Sequence, residues 1–223
     1  SRGRAVARFP SHTSGRWSLV ESVVGAAPTT TEAHAARAHL MLDRHGVVTR
    51  STVLAEGQPG GFSALYPVFA HLEETGRLRR GYFVEGLGGS QFALPGAVDR
   101  LRSSSDEPDV IAVAAADPAN PYGGALPWPE HDARLARDAG AYVFFYDGHL
   151  VAYLDKGRRN LTLLGQAEDL YELIGREVAA VAARHRRLVL RKVGHEAAPV
   201  SPLAPSLREW GFALDPKGLA YRK

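Results

Sequence analysis

The chain has 223 residues, long enough for one or two compact units with real cores. Its 45% hydrophobic and 23% charged residues are ordinary for a globular chain and argue against wholesale disorder. It contains no cysteine, which excludes disulfides, thiolate metal sites and a cysteine nucleophile, and its formal net charge is +3.

The nine histidines are scattered, and none forms an HExxH pair on one helical face, so no metal site is expected. No stretch has the length of a membrane span, and the basic, proline-containing start lacks the apolar core of a signal peptide. The default expectation is a cytoplasmic protein. Its arginines cluster at Arg77/Arg79/Arg80, Arg158/Arg159 and Arg184/Arg186/Arg187/Arg191. Such patches suit a polyanionic partner, although each alone is also ordinary solvated surface.

Residues 1–28 read as a connecting segment. Thr29 then stands three residues before Glu32, the spacing of a capping box, which predicts a helix closed by Gly46 with Ala33, Ala36 and Leu40 on its apolar face. Thr49 and Gly57 bracket a second, short helix. In "GGFSALYPVFAHLEETG", Phe62, Leu65, Tyr66, Phe69 and Leu72 make a one-sided stripe ended by Gly76. Pro67 conflicts with that helix and predicts a kink or a broken first turn.

"RLRRGYFVE" and "SQFAL" follow as two strands joined by "GLGG". A phosphate-binding glycine loop leads from a strand into a helix, and a P-loop adds a Lys-Ser/Thr pair; here a strand follows and no lysine does. Three helices and a hairpin instead predict a winged-helix domain over residues 29–104. Its hairpin is either a contact to nucleic acid or purely structural.

Residues 105–223 form the second predicted unit, after a serine-rich and acidic seam. "VIAVAAA" has the composition of a buried strand, and "AYVFFYDGHLVAYL" is two strands around Asp147-Gly148, a pair favoured in type I′ turns. "KGRRNLTLLG" adds another strand. The series predicts a small antiparallel β-barrel. A helix with Leu170, Leu173, Ile174, Val178 and Val181 on one face packs on it. "RLVLRKVG", a short helix begun at Ser201-Pro202 and two strands around Asp-Pro-Lys-Gly complete an α+β chain.

"GRWSLV", "RHGVVTRSTVLAEGQPGGFSALYPVFAHLEETGRLRRGYFVEGLGGSQFALPGAVDRLR" and "DPANPYGGALPWP" closely resemble the C-terminal part of the bacterial large helicase-related (Lhr) proteins. The resemblance runs over nearly the whole chain. It implies a superfamily 2 DNA repair helicase whose ATPase core lies upstream, with a C-terminal region of winged-helix units around a β-barrel. That region is associated with self-assembly into homo-oligomers and is similar in architecture to AlkZ-type DNA glycosylases. This chain has no GxxxxGK[ST] loop, so ATP and magnesium belong to the absent core, and no cofactor is expected here.

Three roles follow. The first is engagement of DNA, single-stranded or paired with RNA in a hybrid, at a nucleoid-associated location. Arg77, Arg79 and Arg80 would neutralise phosphates, and Ser90 and Gln91 would donate to the backbone. Tyr82 and Phe83 would stack on bases if exposed, but strand alternation favours core packing. The second role is base excision. The QxQ or QxD pattern of the related glycosylases is missing; Gln91 and Gln166 imitate it loosely. Asp117 in "AAADPANPYGG" is the best carboxylate, leaving an apolar strand for a rigid loop, and Asp215 in "ALDPKG" is the second, although both also suit plain turns. Trp128 between prolines reads as a packing plug. The third role is assembly, with "AYVFFY" at a subunit contact.

Overall fold

A computed structural model describes residues 17–20, 25, 27–103, 108–165 and 167–222. Most of the expected connecting segment, and Gln166, lie outside these residues.

The winged helix forms for the reasons its sequence gives. Helix α1 (Thr30–His45) starts at Thr29, whose hydroxyl accepts the Glu32 N–H while Glu32 bonds back to the Thr29 N–H. Gly46 closes it at φ 67°. Its buried residues are Ala38, Met41 and Leu42, whereas Leu40 is 59% exposed. The inward face is therefore opposite to the expected alanine face, because Met41 and Leu42 bury far more apolar area than alanines can.

Strand β1 (Val47–Val48), α2 (Arg50–Ala55) capped by the Thr49 hydroxyl, and α3 (Gly61–Glu74) follow. Helix α3 runs through Pro67 without the expected break. Ser63, whose carbonyl loses its helical donor to the proline, and Pro67 itself are both exposed, so water can satisfy the carbonyl. Leu65, Phe69 and Leu72 of α3 pack with Leu42, Val53 and Phe92 in the core of this domain. Strands β2 (Arg79–Gly81) and β3 (Gln91–Ala93) make a three-stranded sheet in the order β1-β3-β2. The hairpin strands are far shorter than the sequence suggested, and residues 82–90 form an extended wing loop. Helix α4 (Pro95–Arg102) ends the unit.

The second unit is built on strands β4 (Val110–Ala114), β5 (Tyr142–Tyr146), β6 (His149–Leu154) and β7 (Asn160–Leu163). The β5–β6 turn has Asp147 at φ 47° and Gly148 at φ 77°, as a type I′ turn demands. A 3-10 turn (Ala167–Leu170) leads into α5 (Tyr171–Ala183). Beyond it come β8 (Val189–Leu190), β9 (Lys192–Val193), β10 (Glu196–Ala197), a second 3-10 turn (Ala198–Val200), α6 (Ala204–Glu209), β11 (Phe212–Asp215) and β12 (Gly218–Tyr221). "RLVLRKVG" is thus two strands, one in each of two sheets.

Six strands pair in the order β10-β9-β7-β6-β5-β4, and three more as β11-β12-β8. No ladder joins β10 to β4 among the described residues, so the sheet is open and the expected barrel closure is not seen. Alternation explains why closure is unnecessary. Tyr142, Phe144 and Tyr146 of β5 join the core under α5, while Val143 and Phe145 join a smaller core under the 115–141 loop. A helix on one face and a folded loop on the other supply the apolar cover that an opposite barrel wall would give. A bulge at Phe144/Phe145 leaves Val151 without a partner on β5 and locally resets the alternation on β6. Strand β4, expected to be buried, is an edge strand with Ile111 61% exposed. No helix among the described residues is long and apolar enough to cross a membrane.

Candidate nucleic-acid interface

The wing is shaped by one side chain. Gln91, fully buried, accepts the N–H groups of Phe83 and Val84 at 2.8 Å each, and its amide nitrogen donates to the carbonyls of Val84 at 3.0 Å and Leu87 at 2.8 Å. All four hydrogen-bonding positions of the carboxamide are filled. The expected donation from Gln91 to a nucleic-acid backbone is thereby corrected: the residue has no donor left and faces inward. Ser90 is half-buried beside it where the loop returns.

Tyr82 also departs from expectation. Strand β2 stops at Gly81, and the Phe83 ring folds back so closely that a Cβ at position 81 would lie 3.0 Å from it. Phe83 takes the sheltered place and Tyr82 is left 90% exposed, not packed.

The three arginines divide. Arg80 forms an ion pair with Glu73 and lies over the rings of Tyr66 and Phe92, 5.8 and 5.3 Å from their centroids. Its guanidinium is engaged in binding the wing to α3. Arg77 and Arg79 are exposed. Helix α3 itself offers no Lys or Arg, and its last turn holds Glu73 and Glu74. Insertion of α3 into a groove therefore brings no phosphate neutralisation, and the cations of this face come from the segment that follows it.

A cleft of about 620 Å³ separates the winged helix from the 115–137 loop, within the ~300–1,000 Å³ typical of small-ligand sites. Its walls include Arg44, His45, Glu56, Val84 and Leu87 on one side and Pro118, Asn120, Gly124 and Arg137 on the other. Glu56 pairs with Arg44 at 2.6 Å and His45 at 3.1 Å, and the Arg44 hydrogen bond holds its carboxyl below the usual range.

The loop is rigid for reasons the sequence did not reveal. Arg137 donates to the carbonyls of Asn120, Asp117, Tyr122 and Ala116, and buried Asn120 bonds to Ala115 and Tyr122. No local motif marks Arg137, which lies 15 to 21 residues beyond its partners. Trp128 packs against Tyr122 and Tyr153 as expected of a plug.

Asp117 is exposed, and its Oδ1 accepts the Ala119 N–H at 2.8 Å, the geometry of an Asx turn. It leaves the apolar strand for the rigid loop, as expected, and stands in solvent there. Asp215 is more sheltered; it accepts the Lys217 N–H at 3.0 Å and faces Arg187 at 3.4 Å. The structure does not bring the two carboxylates into one site: Asp117 flanks the cleft, and Asp215 starts the β11–β12 turn. The aromatic strand expected at a subunit contact, β5, is an inner strand of its sheet with Val143 and Phe144 buried.

Three helices, a three-stranded sheet and a wing define residues 30–93 as a winged-helix domain in a mixed α+β chain. Residues 27–113 match the family described as large helicase-related protein, winged-helix domain, so this segment is a winged-helix domain of the Lhr family. Over 217 residues, 92% of the chain, it is 38% identical to the "Lhr helicase/uracil glycosylase" of Escherichia coli. Over 165 residues, 70% of the chain, it is 48% identical to the "Lhr helicase/ probable uracil glycosylase" of Mycolicibacterium smegmatis. These matches cover most of the chain, consistent with a C-terminal Lhr region. The chain spans only 14% and 11% of the two relatives.

Proposed function

We propose that this chain is a nucleic-acid-binding region of an Lhr-type DNA helicase and that it engages a DNA strand along the edge of its wing. The observation that carries this reading is the 90% exposure of Tyr82, three residues beyond exposed Arg79, where the chain enters a wing loop tied down by Gln91. An aromatic ring among exposed cations suits single-stranded nucleic acid, in which bases stack on the ring and phosphates meet the guanidinium groups. Arg77 and Arg79 take the phosphates, Ser90 borders them, and Arg80 positions the wing rather than the strand. ATP and magnesium act in the helicase core of such proteins, whose motifs this chain lacks.

Fluorescence anisotropy with a labelled oligothymidine tests the reading. Stacking is worth about 1–3 kcal/mol per base, so Tyr82→Ala weakens binding by roughly five-fold or more while Tyr82→Phe retains it. Arg77→Ala with Arg79→Ala reduces both affinity and its salt dependence. Unchanged binding by all of these variants removes the wing from the interface.

A second reading is base excision, favoured by a cleft large enough for an extruded base and by the glycosylase in the names of both relatives. Its carboxylate is Asp117, next in the chain to the cleft-lining Pro118, or Asp215. It requires alkali-labile breaks in a uracil-containing oligonucleotide that disappear with Asp117→Asn or Asp215→Asn. Intact strands with the unaltered chain exclude it.

A further inference from the structure

The turn between β6 and β7 is wound around Asp155, whose Oδ1 accepts the N–H groups of Arg159 at 2.7 Å and Asn160 at 3.3 Å and whose Oδ2 accepts the Asn160 amide at 2.6 Å. Asp155 is thus engaged with the turn itself and leaves the neighbouring arginines unneutralised. Arg158 takes a positive φ of 51°, uncommon for a side-chain-bearing residue, and its Nε is buried without a hydrogen-bond partner.

Two other turns meet this one. The Arg191 and Lys192 N–H groups donate to the Arg159 carbonyl at 2.7 and 3.2 Å, which lays the β8–β9 segment alongside. Pairing of β12 with β8 then brings up the β11–β12 turn with Lys217. The three turns enclose a concavity of about 230 Å³, and its charged lining is Arg158, Arg159, Arg187, Arg191 and Lys217. Among the described residues, the carboxylate paired with any of these five is Asp215, against Arg187.

Five cations around one hollow repel each other, and removing that repulsion is work an anion can do. The hollow is smaller than the ~300 Å³ lower bound of ordinary ligand pockets, so it admits a phosphate group rather than a whole nucleotide. Guanidinium forks match phosphate oxygens in pairs. Exposed Arg184, Arg186 and Lys192 continue the charge beyond the hollow, which suits a chain of phosphates more than a single free one.

We propose that this three-turn concavity is a second backbone-binding site, taking the phosphodiesters of a nucleic-acid strand on a surface built from other elements than the wing. The proposal shares with the wing reading only the premise that the chain meets nucleic acid, and the two fail separately.

Anisotropy with labelled oligothymidine over a range of salt concentrations tests it, using the full chain. The reversals Arg159→Glu with Arg191→Glu alter exposed side chains while keeping the backbone bonds of the turn. They are expected to weaken binding by about ten-fold or more and to lower the log–log salt slope by roughly 1.4, about 0.7 for each lost phosphate on a single strand. Lys217→Glu, on a separate turn, gives a smaller loss in the same direction. Wild-type affinity and slope in both folded variants overturn the proposal. If instead the Arg77→Ala, Arg79→Ala protein binds normally while the concavity variants do not, the wing reading falls and this one stands.

Discussion

Gln91 carries more structure than any other polar residue of the wing, because its four hydrogen bonds satisfy a loop that has no strand ladder of its own. Gln91→Ala leaves two N–H groups and two carbonyls to partial hydration. With a net worth of about 0.5–1.5 kcal/mol per bond, discounted because water reaches some of the loop, the loss is about 2–3 kcal/mol. A drop of roughly 10 °C in the calorimetric melting temperature is expected. A shift below a degree or two would mean that the loop holds itself. Whether Gln91 points in or out was not legible from its neighbours, since β3 is the central strand of its sheet and all three of its residues are buried. Strand alternation fails where helices cover one face and the wing loop covers the other.

Glycine substitutions separate close approach from mere flexibility. At Gly218, φ is 143° and a Cβ would lie 1.9 Å from the Leu190 carbonyl oxygen, so Gly218→Ala must push β12 off β8. A loss of more than about 3 kcal/mol is expected, read as a lowered denaturant midpoint or failure to accumulate folded protein. Gly96, inside α4, meets nothing within 4 Å, and Gly96→Ala should raise the midpoint by about 0.5–1 kcal/mol. Equal effects at the two positions would contradict the packing described.

At the scale of elements, caps and turns were the legible part. The Thr29–Glu32 box, the Thr49 cap and the Asp147-Gly148 turn depend on bonds between residues no more than three apart, and each formed as its spacing demanded. Faces and partners depend on what packs against them, which explains the reversed face of α1 and the edge position of β4. Pro67 shows the same division. Its local cost is real, yet tertiary packing of Leu65, Phe69 and Leu72 keeps α3 continuous through it. Pro67→Ala restores an N–H opposite the Ser63 carbonyl at an exposed position, so the winged helix should gain about 1–3 kcal/mol. A melting temperature that stays constant or falls would show that the proline shapes a bend the core requires.

At the scale of the whole molecule, the two predicted units have cores of their own, and the polyanion-facing charge is distributed between the wing of the first and a three-turn hollow of the second. Sequence clustering located those arginines but could not tell Arg80, bound to Glu73 and two rings, from Arg79, which is exposed. Nor could it show that residues near 158, 187 and 217 meet, since sheet pairing alone joins them.

Burial and ion pairing together set how the molecule responds to acid. Burial first, and then the nearby Arg158 and Arg184, hold His185 below its ordinary pKa of ~6.5, and its Nε2 lies 3.1 Å from the Tyr142 hydroxyl. As pH falls through ~6.5 the unfolded chain takes up a proton at this site that the folded chain does not, so stability declines on acidification and the decline ends once the folded pKa is passed. Glu56 and Asp109 act lower on the scale with the same sign. Arg44 and Arg176 lower their pKa values, and the stability they contribute is present above the ordinary carboxylate range and lost as pH falls through the depressed values. Urea midpoints should therefore fall in two stages from pH 8 downward, the first of them flattened in His185→Gln and the second retained. An unchanged first stage in that variant would assign it to another histidine and separate the Tyr142–His185 contact from the acid response.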